Sequence, residues 1–227
     1  MALSQELLKI IACVSMLIDH IGYAFFPKVD ILRVLGRFAF PIYCFLLSQG
    51  ITHTKNPWKY ILRFVIILLL AEIPFDLLFF DNYTYDYQNV MFTLLLGLIM
   101  GLCIRHIPHL PLKILCVIPF AIAAEHLESD YGAYGIFVIA LFLFSQYTSH
   151  PRLVEFIGLY ILGNSFINGQ VTIWGFRMSY QVLALMAMIP ICYYNGKKST
   201  NSPLVNWGLN LFYPLHLAVL LLIKSFI

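Results

Sequence analysis

The 227-residue sequence has few charged residues, and this shortage excludes most soluble proteins. Only 11% of the residues are Asp, Glu, Lys or Arg, whereas 61% are hydrophobic and 16% aromatic. A soluble globular domain has about 25% charged and about 45–50% apolar residues. With a mean hydropathy of +0.84, the composition excludes a disordered chain and predicts an integral membrane protein. The net charge of +3 is too small to indicate nucleic acid as a partner.

The sequence also lacks the cysteine spacing of a disulfide framework or a zinc site. All five cysteines lie in apolar runs, where small residues commonly pack between helices, and we expect no metal. No small-residue cleavage site follows the first apolar run, so we expect that run to remain as a membrane helix. The cysteines are Cys13, Cys44, Cys103, Cys116 and Cys192.

Long apolar runs fill nearly the whole sequence. A helix needs roughly 20 mostly apolar residues to cross a bilayer core, and polar or Pro/Gly clusters divide the chain into nine such runs. The expected fold is therefore all-α: a polytopic transmembrane helical bundle of about nine spans, formed by a single domain over residues 1–227. The fifth to seventh runs are short, and one of them could be re-entrant or interfacial. The predicted spans are about 5–26, 30–52, 57–80, 87–106, 111–126, 132–147, 152–166, 177–195 and 204–226.

The loops between these runs differ in charge, and the difference predicts the orientation. Lysine and arginine accumulate in the loops on one side, whereas the opposite loops are acidic or neutral, with Lys28 as the main exception. Because an excess of Lys and Arg marks the cytoplasmic side, we expect a cytoplasmic amino terminus and an external carboxyl terminus. The basic loop residues are Lys55, Lys59, Arg105, Lys113, Arg152, Lys197 and Lys198.

Ionisable residues inside the apolar runs fall at two depths. Lys9 and His20 are eleven residues apart, which corresponds to roughly 16 Å and three turns plus about 20°, so both share one helix face. Charged groups inside a membrane segment are costly and usually face the bundle interior. The inner layer comprises Lys9, Lys59 and Arg63, and the outer layer comprises Asp19, His20, Arg37, Glu72 and His216.

Each of these residues also has a structural interpretation. The three inner cations could extend to the headgroups, a histidine could join two helices by a hydrogen bond, and Arg37 could form an ion pair with Asp19 or Glu72. The combination of the two layers favours a functional interpretation, because chance extension of cations does not explain a buried His–Asp–Arg–Glu group.

Two such layers suit group transfer across a membrane. A phosphorylated carrier such as coenzyme A could place its phosphates on Lys9 and Arg63, with Lys59 as a third cation. Its extended arm could then present an acyl thioester to His20, roughly 16 Å away.

The outer layer offers the side chains for catalysis. His20 could act as general base, and Asp19 or Glu72 could orient its imidazole. Arg37 could stabilise a developing oxyanion.

Several segments resemble the TraX family of membrane proteins. They are LKIIACVSMLIDHIGYAFFP, LGRFAFPIYCFLLSQG, LRFVIILLLAEIPFDLLF, NVMFTLLLGL, DYGAYG and FYPLHL, which together cover nearly the whole chain. The family is similar to the acyltransferase-3 group of membrane acetyltransferases, whose first span has a basic residue, ten positions and then a histidine; Lys9 and His20 fit this spacing.

The resemblance implies a catalytic base and a donor site. By that likeness His20 is the base, and Lys9 and Arg63 hold acetyl-CoA. From the resemblance alone, the candidate site also includes Asp130, Tyr131, Gly132 and His216. The first three of these residues, the DYG segment, have an alternative interpretation as a turn with an aspartate cap before the sixth run.

The expected function is therefore acetyl transfer in a bacterial inner membrane. The donor would be cytoplasmic acetyl-CoA, and the acceptor an outer-face amine or hydroxyl of a glycan, a lipid-linked sugar or a peptide. Two alternatives remain: a proton-coupled transporter that uses the His–Asp–Arg–Glu group as a relay, and a non-enzymatic scaffold of a membrane assembly.

Overall fold

The protein is predominantly helical. The structure, a computed structural model, describes residues 2–84, 86–166, 170–173, 176–200 and 202–226. These residues form ten α-helices, one 3₁₀ helix and a two-stranded antiparallel hairpin. The helices are α1 Gln5–Phe25, α2 Asp30–Gly36, α3 Ala39–His53, α4 Pro57–Phe79, α5 Val90–His106, α6 Leu110–His126, α7 Gly132–Ser145, α8 Pro151–Ser165, the 3₁₀ helix Tyr180–Ala187, α9 Met188–Cys192 and α10 Pro203–Lys224.

Each of the nine apolar runs of the sequence contains helix, but the runs differ in their capacity to cross a membrane. Within the described ranges, three segments are long and apolar enough by length and composition: Gln5–Phe25, Asp30–His53 and Leu204–Lys224. Helix α4 is 23 residues long but carries four charged side chains, and α5 to α9 are shorter. The structure therefore supports a helical membrane protein with three full-length candidate spans, fewer than the nine predicted.

The hairpin is absent from the all-α fold expected from the sequence. Strand β1, Gln170–Ile173, pairs antiparallel with β2, Phe176–Ser179, so that Gln170 lies opposite Ser179. Val171, Thr172 and Ile173 are β-branched, and such residues favour an extended backbone over a helix. Strand β1 lies between the predicted spans 152–166 and 177–195, whereas residues 177–179 of β2 fall inside the second of these spans, where the expectation of helix is wrong.

Side-chain caps fix the start of three helices that surround the functional site. Ser4 accepts a hydrogen bond from the backbone of the first turn of α1, Asn56 does so for α4, and Asn89 for α5. Each cap satisfies one of the backbone N–H groups that a helix leaves unpaired at its start. The side-chain amide of Asn89 also contacts Glu72 of α4, so one residue ties these two helices together.

Helix α10 packs mainly against α4 and α1, and α1 also packs against α2 and α3. Helix α7 lies on the other side of α3 and contacts α5, α6 and α8. The side chains of Phe45, Phe142 and Leu98 are buried in the core, whereas apolar side chains such as Leu69 and Leu222 are exposed on the outer surface. An apolar exterior is the surface expected of a helix bundle in lipid.

Candidate functional site: a cavity between two polar clusters

A cavity of about 1060 Å³ runs between α1, α3, α4 and α10. Its lining includes eight of the eleven candidate site residues expected from the sequence, whereas Glu72, Gly132 and His216 are absent from the described lining. The sequence therefore identified six of the eight charged side chains in the described lining. The eight candidate residues in the lining are Lys9, Asp19, His20, Arg37, Lys59, Arg63, Asp130 and Tyr131.

One end of the cavity, called here the cationic end, is lined by four positively charged side chains. The Nζ atom of Lys9 donates to Oδ1 of Asn210 at 3.4 Å, and the guanidinium of Arg63 lies 5.5 Å from the ring centroid of Trp207. Among the described lining residues, the two carboxylates are at the other end. The cationic end consists of Lys9, Lys59, Arg63 and Lys198.

The opposite end, called the histidine end, contains an aspartate held by two arginines. Asp19 accepts from Nη1 of Arg33 at 2.8 Å and from Nη2 of Arg37 at 3.2 Å. Gly36 makes this arrangement possible, because a Cβ at that position would overlap the Asp19 side chain. Arg37 also lies over the ring of Tyr180, with 5.9 Å between guanidinium carbon and ring centroid. Asp19 therefore balances two cations.

His20 forms a hydrogen-bonded pair with His216 of α10. Nδ1 of His20 lies 2.7 Å from Nε2 of His216, and Nδ1 of His216 lies 2.8 Å from the carbonyl oxygen of Phe212. A carbonyl oxygen only accepts, so in the neutral pair Nδ1 of His216 carries a proton and its Nε2 accepts from Nδ1–H of His20. The hydrogen bonds thus assign an unprotonated Nε2 to His20, which is the atom a general base needs.

The residue that contacts Nδ1 of His20 is therefore not one of the two carboxylates considered for that role. Asp19 is paired with arginines, and Glu72 accepts a hydrogen bond from the side chain of Asn89. Arg63 and Glu72 are nine residues apart, or about two and a half turns, which places them on opposite faces of α4. Arg63 lines the cavity, whereas Glu72 is absent from the described lining.

The DYG segment forms part of the wall at the histidine end. Oδ1 of Asp130 accepts from the hydroxyl of Tyr87 at 3.1 Å, so the aspartate cap considered for this segment is not formed. Tyr131 has a left-handed backbone (φ 67°) and its ring stacks on Phe40 with centroids 3.7 Å apart. Desolvation raises the pKa of the Asp130 carboxyl, while Arg37 and the Tyr87 hydroxyl oppose this shift.

The comparison with known families covers this whole site. A family model described as "TraX protein" matches residues 4–224. The chain belongs to the TraX family. The matched range extends from before Lys9 to beyond His216, so both ends of the cavity lie within the TraX match.

Two curated proteins are similar to this TraX-family chain. The probable fimbrial assembly protein FimC, serogroup H1, of Dichelobacter nodosus is 28% identical over 240 residues, which cover 97% of this chain and 95% of that protein. An uncharacterised protein, RP591, of Rickettsia prowazekii (strain Madrid E) is 37% identical over 71 residues, 31% of this chain and 28% of that protein. No solved structure gives a significant match.

Three further residues of the TraX-family cavity were missed as site residues. Arg33 lies four positions before Arg37, so the two share a helix face, and this spacing was a usable signal. Lys198 lies in a loop, for which helical periodicity gives no orientation, and Tyr87, although inside the predicted span 87–106, precedes the start of α5. Among the described residues, no group of three or more His, Cys, Asp or Glu side chains is placed to hold a metal ion.

Proposed function

We propose that this protein transfers an acetyl group from acetyl-CoA to an amine or hydroxyl acceptor. The observation that carries the proposal is a single cavity that joins four cations to a histidine with a free Nε2. The cationic end suits the phosphates of the donor, and the histidine end suits the chemistry. The separation of Lys9 and His20, roughly 16 Å along α1, suits a donor with a long arm between its phosphates and its thioester.

The dimensions and charge of the cavity fit this donor. Its volume of about 1060 Å³ is slightly above the roughly 300–1,000 Å³ that is usual for ligand pockets. The nucleotide end of coenzyme A carries roughly four negative charges near neutral pH, since a phosphate monoester carries about −1.5 to −2 and the pyrophosphate adds two. Four cations without a lining carboxylate at that end match this charge.

The reaction uses His20 as base. When bound, acetyl-CoA supplies an acetyl group activated as a thioester. Nε2 of His20 accepts the proton of the acceptor N–H or O–H as the acceptor attacks the carbonyl carbon. The new C–N or C–O bond forms, the C–S bond breaks, and the proton passes from His20 to the departing sulfur. Arg37 lies close enough to the histidine end to favour negative charge on the carbonyl oxygen.

The acceptor enters at the histidine end. Polar and aromatic side chains line this end, including Tyr23, Tyr87 and Tyr131, and such a wall suits the polar end of a glycan, a lipid-linked sugar or a peptide. The name of the Dichelobacter nodosus relative, a probable fimbrial assembly protein, favours a fimbrial subunit peptide among these acceptors.

The proposed setting is a bacterial inner membrane with nine segments across it and the cationic end at the cytoplasm. A reporter fused after Thr200 is therefore expected to report the cytoplasm, and one fused after Ile227 the outside. Paired alkaline phosphatase and fluorescent-protein fusions measure this in cells. If both fusions report the same side, α10 does not cross and the proposed orientation is wrong.

The donor site is tested by removing its cations one at a time. Lys9→Ala and Arg63→Ala are each expected to raise KM for acetyl-CoA about ten- to a hundredfold with a smaller effect on kcat, because a charge-assisted contact contributes about 1.5–3 kcal/mol. The measurement is acetyl transfer, or hydrolysis without acceptor, by purified protein in nanodiscs.

Lys55→Ala is the matched control for these variants, because Lys55 is an exposed lysine near the start of α4 that is absent from the described lining. Its KM should equal that of the parent. If Lys9→Ala and Arg63→Ala also bind coenzyme A like the parent, the cationic end does not hold the donor.

A further inference from the structure

The loop before α10 places a lysine in the cavity wall that is not among the candidate site residues expected from the sequence. Gly196 and Lys198 line the cationic end, whereas the neighbouring Lys197 does not. Both lysines are exposed, and no carboxylate among the described residues forms an ion pair with either of them.

The backbone on both sides of Lys198 is fixed to the start of α1. The carbonyl oxygen of Lys197 accepts from the amide of Gln5 at 2.9 Å. On the other side, Oε2 of Glu6 accepts from the amide of Ser199 at 2.6 Å and from its hydroxyl at 2.7 Å. Glu6 is buried, with 4% of its surface exposed. A buried carboxylate therefore holds the loop beside Lys198 at the cavity.

A short strand-like contact with Leu3 holds the same loop at residues 193–195, before Lys198. The amide of Leu3 donates to the carbonyl oxygen of Tyr193 at 2.8 Å, and the amide of Asn195 donates back to the carbonyl oxygen of Leu3 at 3.0 Å. The loop is thus bound along the chain before α1 rather than projecting freely from the bundle. This fixes the position of Lys198 relative to Lys9, which lies one helical turn beyond Glu6.

We infer that Lys198 contacts a phosphate of the donor's nucleotide and makes the site select coenzyme A thioesters over thioesters without phosphate. The inference rests on the proposed function and adds specificity to it. Without Lys198, three cations would face roughly four negative charges. A lysine loses side-chain conformational entropy when it binds an anion. Because hydrogen bonds hold the backbone on both sides of Lys198, less backbone entropy is lost when Lys198 binds a phosphate.

The test compares Lys198→Ala and Lys198→Glu with Lys197→Ala and Lys197→Glu. The two positions are adjacent and equal in charge, but one of them lines the cavity. Lys198→Ala is expected to raise KM for acetyl-CoA about two- to fivefold at low salt, as for one exposed charge contact. Lys198→Glu should raise it further by repulsion, and kcat should change little. The Lys197 variants should have the KM of the parent.

The uncharged donor S-acetylpantetheine separates a phosphate contact from a general effect on the cavity. Its KM should be the same in the parent and in the Lys198 variants, because it has no phosphate. Equal KM values for acetyl-CoA in the parent and in Lys198→Glu would overturn the role of Lys198. If instead the parent neither binds coenzyme A in calorimetry nor cleaves acetyl-CoA, the proposed function itself is wrong, and this inference falls with it.

Discussion

His20→Ala should reduce acetyl transfer by about 10²- to 10⁴-fold, the usual contribution of a positioned acid–base group. The affinity for coenzyme A should change little, because the cationic end is about three helical turns away along α1. In the parent, the rate should fall as the pH is lowered through the imidazole titration, since a protonated Nε2 cannot accept the acceptor's proton. In the variant this dependence should disappear.

The measurement is acetyl transfer by purified protein in nanodiscs across a pH series, with coenzyme A affinity determined in parallel. His126→Ala is the control, because His126 is exposed at the end of α6 and is absent from the described lining. Full activity in His20→Ala would exclude the mechanism proposed here. Uptake driven by a pH gradient without thioester cleavage would instead support the transporter. If the parent protein shows neither thioester cleavage nor uptake, that result would support the non-enzymatic scaffold.

His216→Phe should lower kcat by roughly 10²- to 10³-fold although His216 does not line the described cavity. Phenylalanine keeps an aromatic ring beside Phe212 but removes the acceptor for Nδ1–H of His20. The imidazole of His20 is then free to take the other tautomer, with the proton on Nε2, and wrong-tautomer substitutions in catalytic triads cost up to about 10⁴-fold. KM for acetyl-CoA should remain near that of the parent.

Rescue by a conservative variant distinguishes this positioning role from packing. In His216→Gln the side-chain oxygen can accept from Nδ1–H of His20, so we expect activity within about tenfold of the parent and a restored pH dependence. Steady-state kinetics of both variants across pH measures this. If His216→Gln is as impaired as His216→Phe, or if His216→Phe retains full activity, His216 does not set the tautomer of His20.

Helical geometry explains how much of the site could be predicted from the sequence. Lys9 and His20 share a face of α1, and both line the cavity. The same arithmetic separates Arg63 from Glu72 on α4, yet Glu72 was placed with His20 on depth alone. Depth gives the level of a residue in a bundle but not the direction in which its side chain points.

Contacts between distant segments could not be predicted in this way. The pairing of His20 with His216 joins residues 196 positions apart, and nothing in either helix specifies the other.

The lengths of the helices could not be predicted from apolar runs either. These runs identified the helical segments, but α5 to α9 are shorter than a bilayer-spanning helix of roughly 20 residues. Tertiary packing decides how such short helices are arranged.

The contact between the first and last helices also sets the order in which the site can assemble during synthesis. Lys9 and His20 leave the ribosome early, but Asn210 and His216, their hydrogen-bond partners, belong to the last helix. Until α10 is inserted, the polar face of α1 has neither partner. A polar face in that state is poorly suited to lipid and favours contact with an insertase or with its own later helices. The polar contacts at both ends of the cavity are thus completed only when α1 and α10 meet.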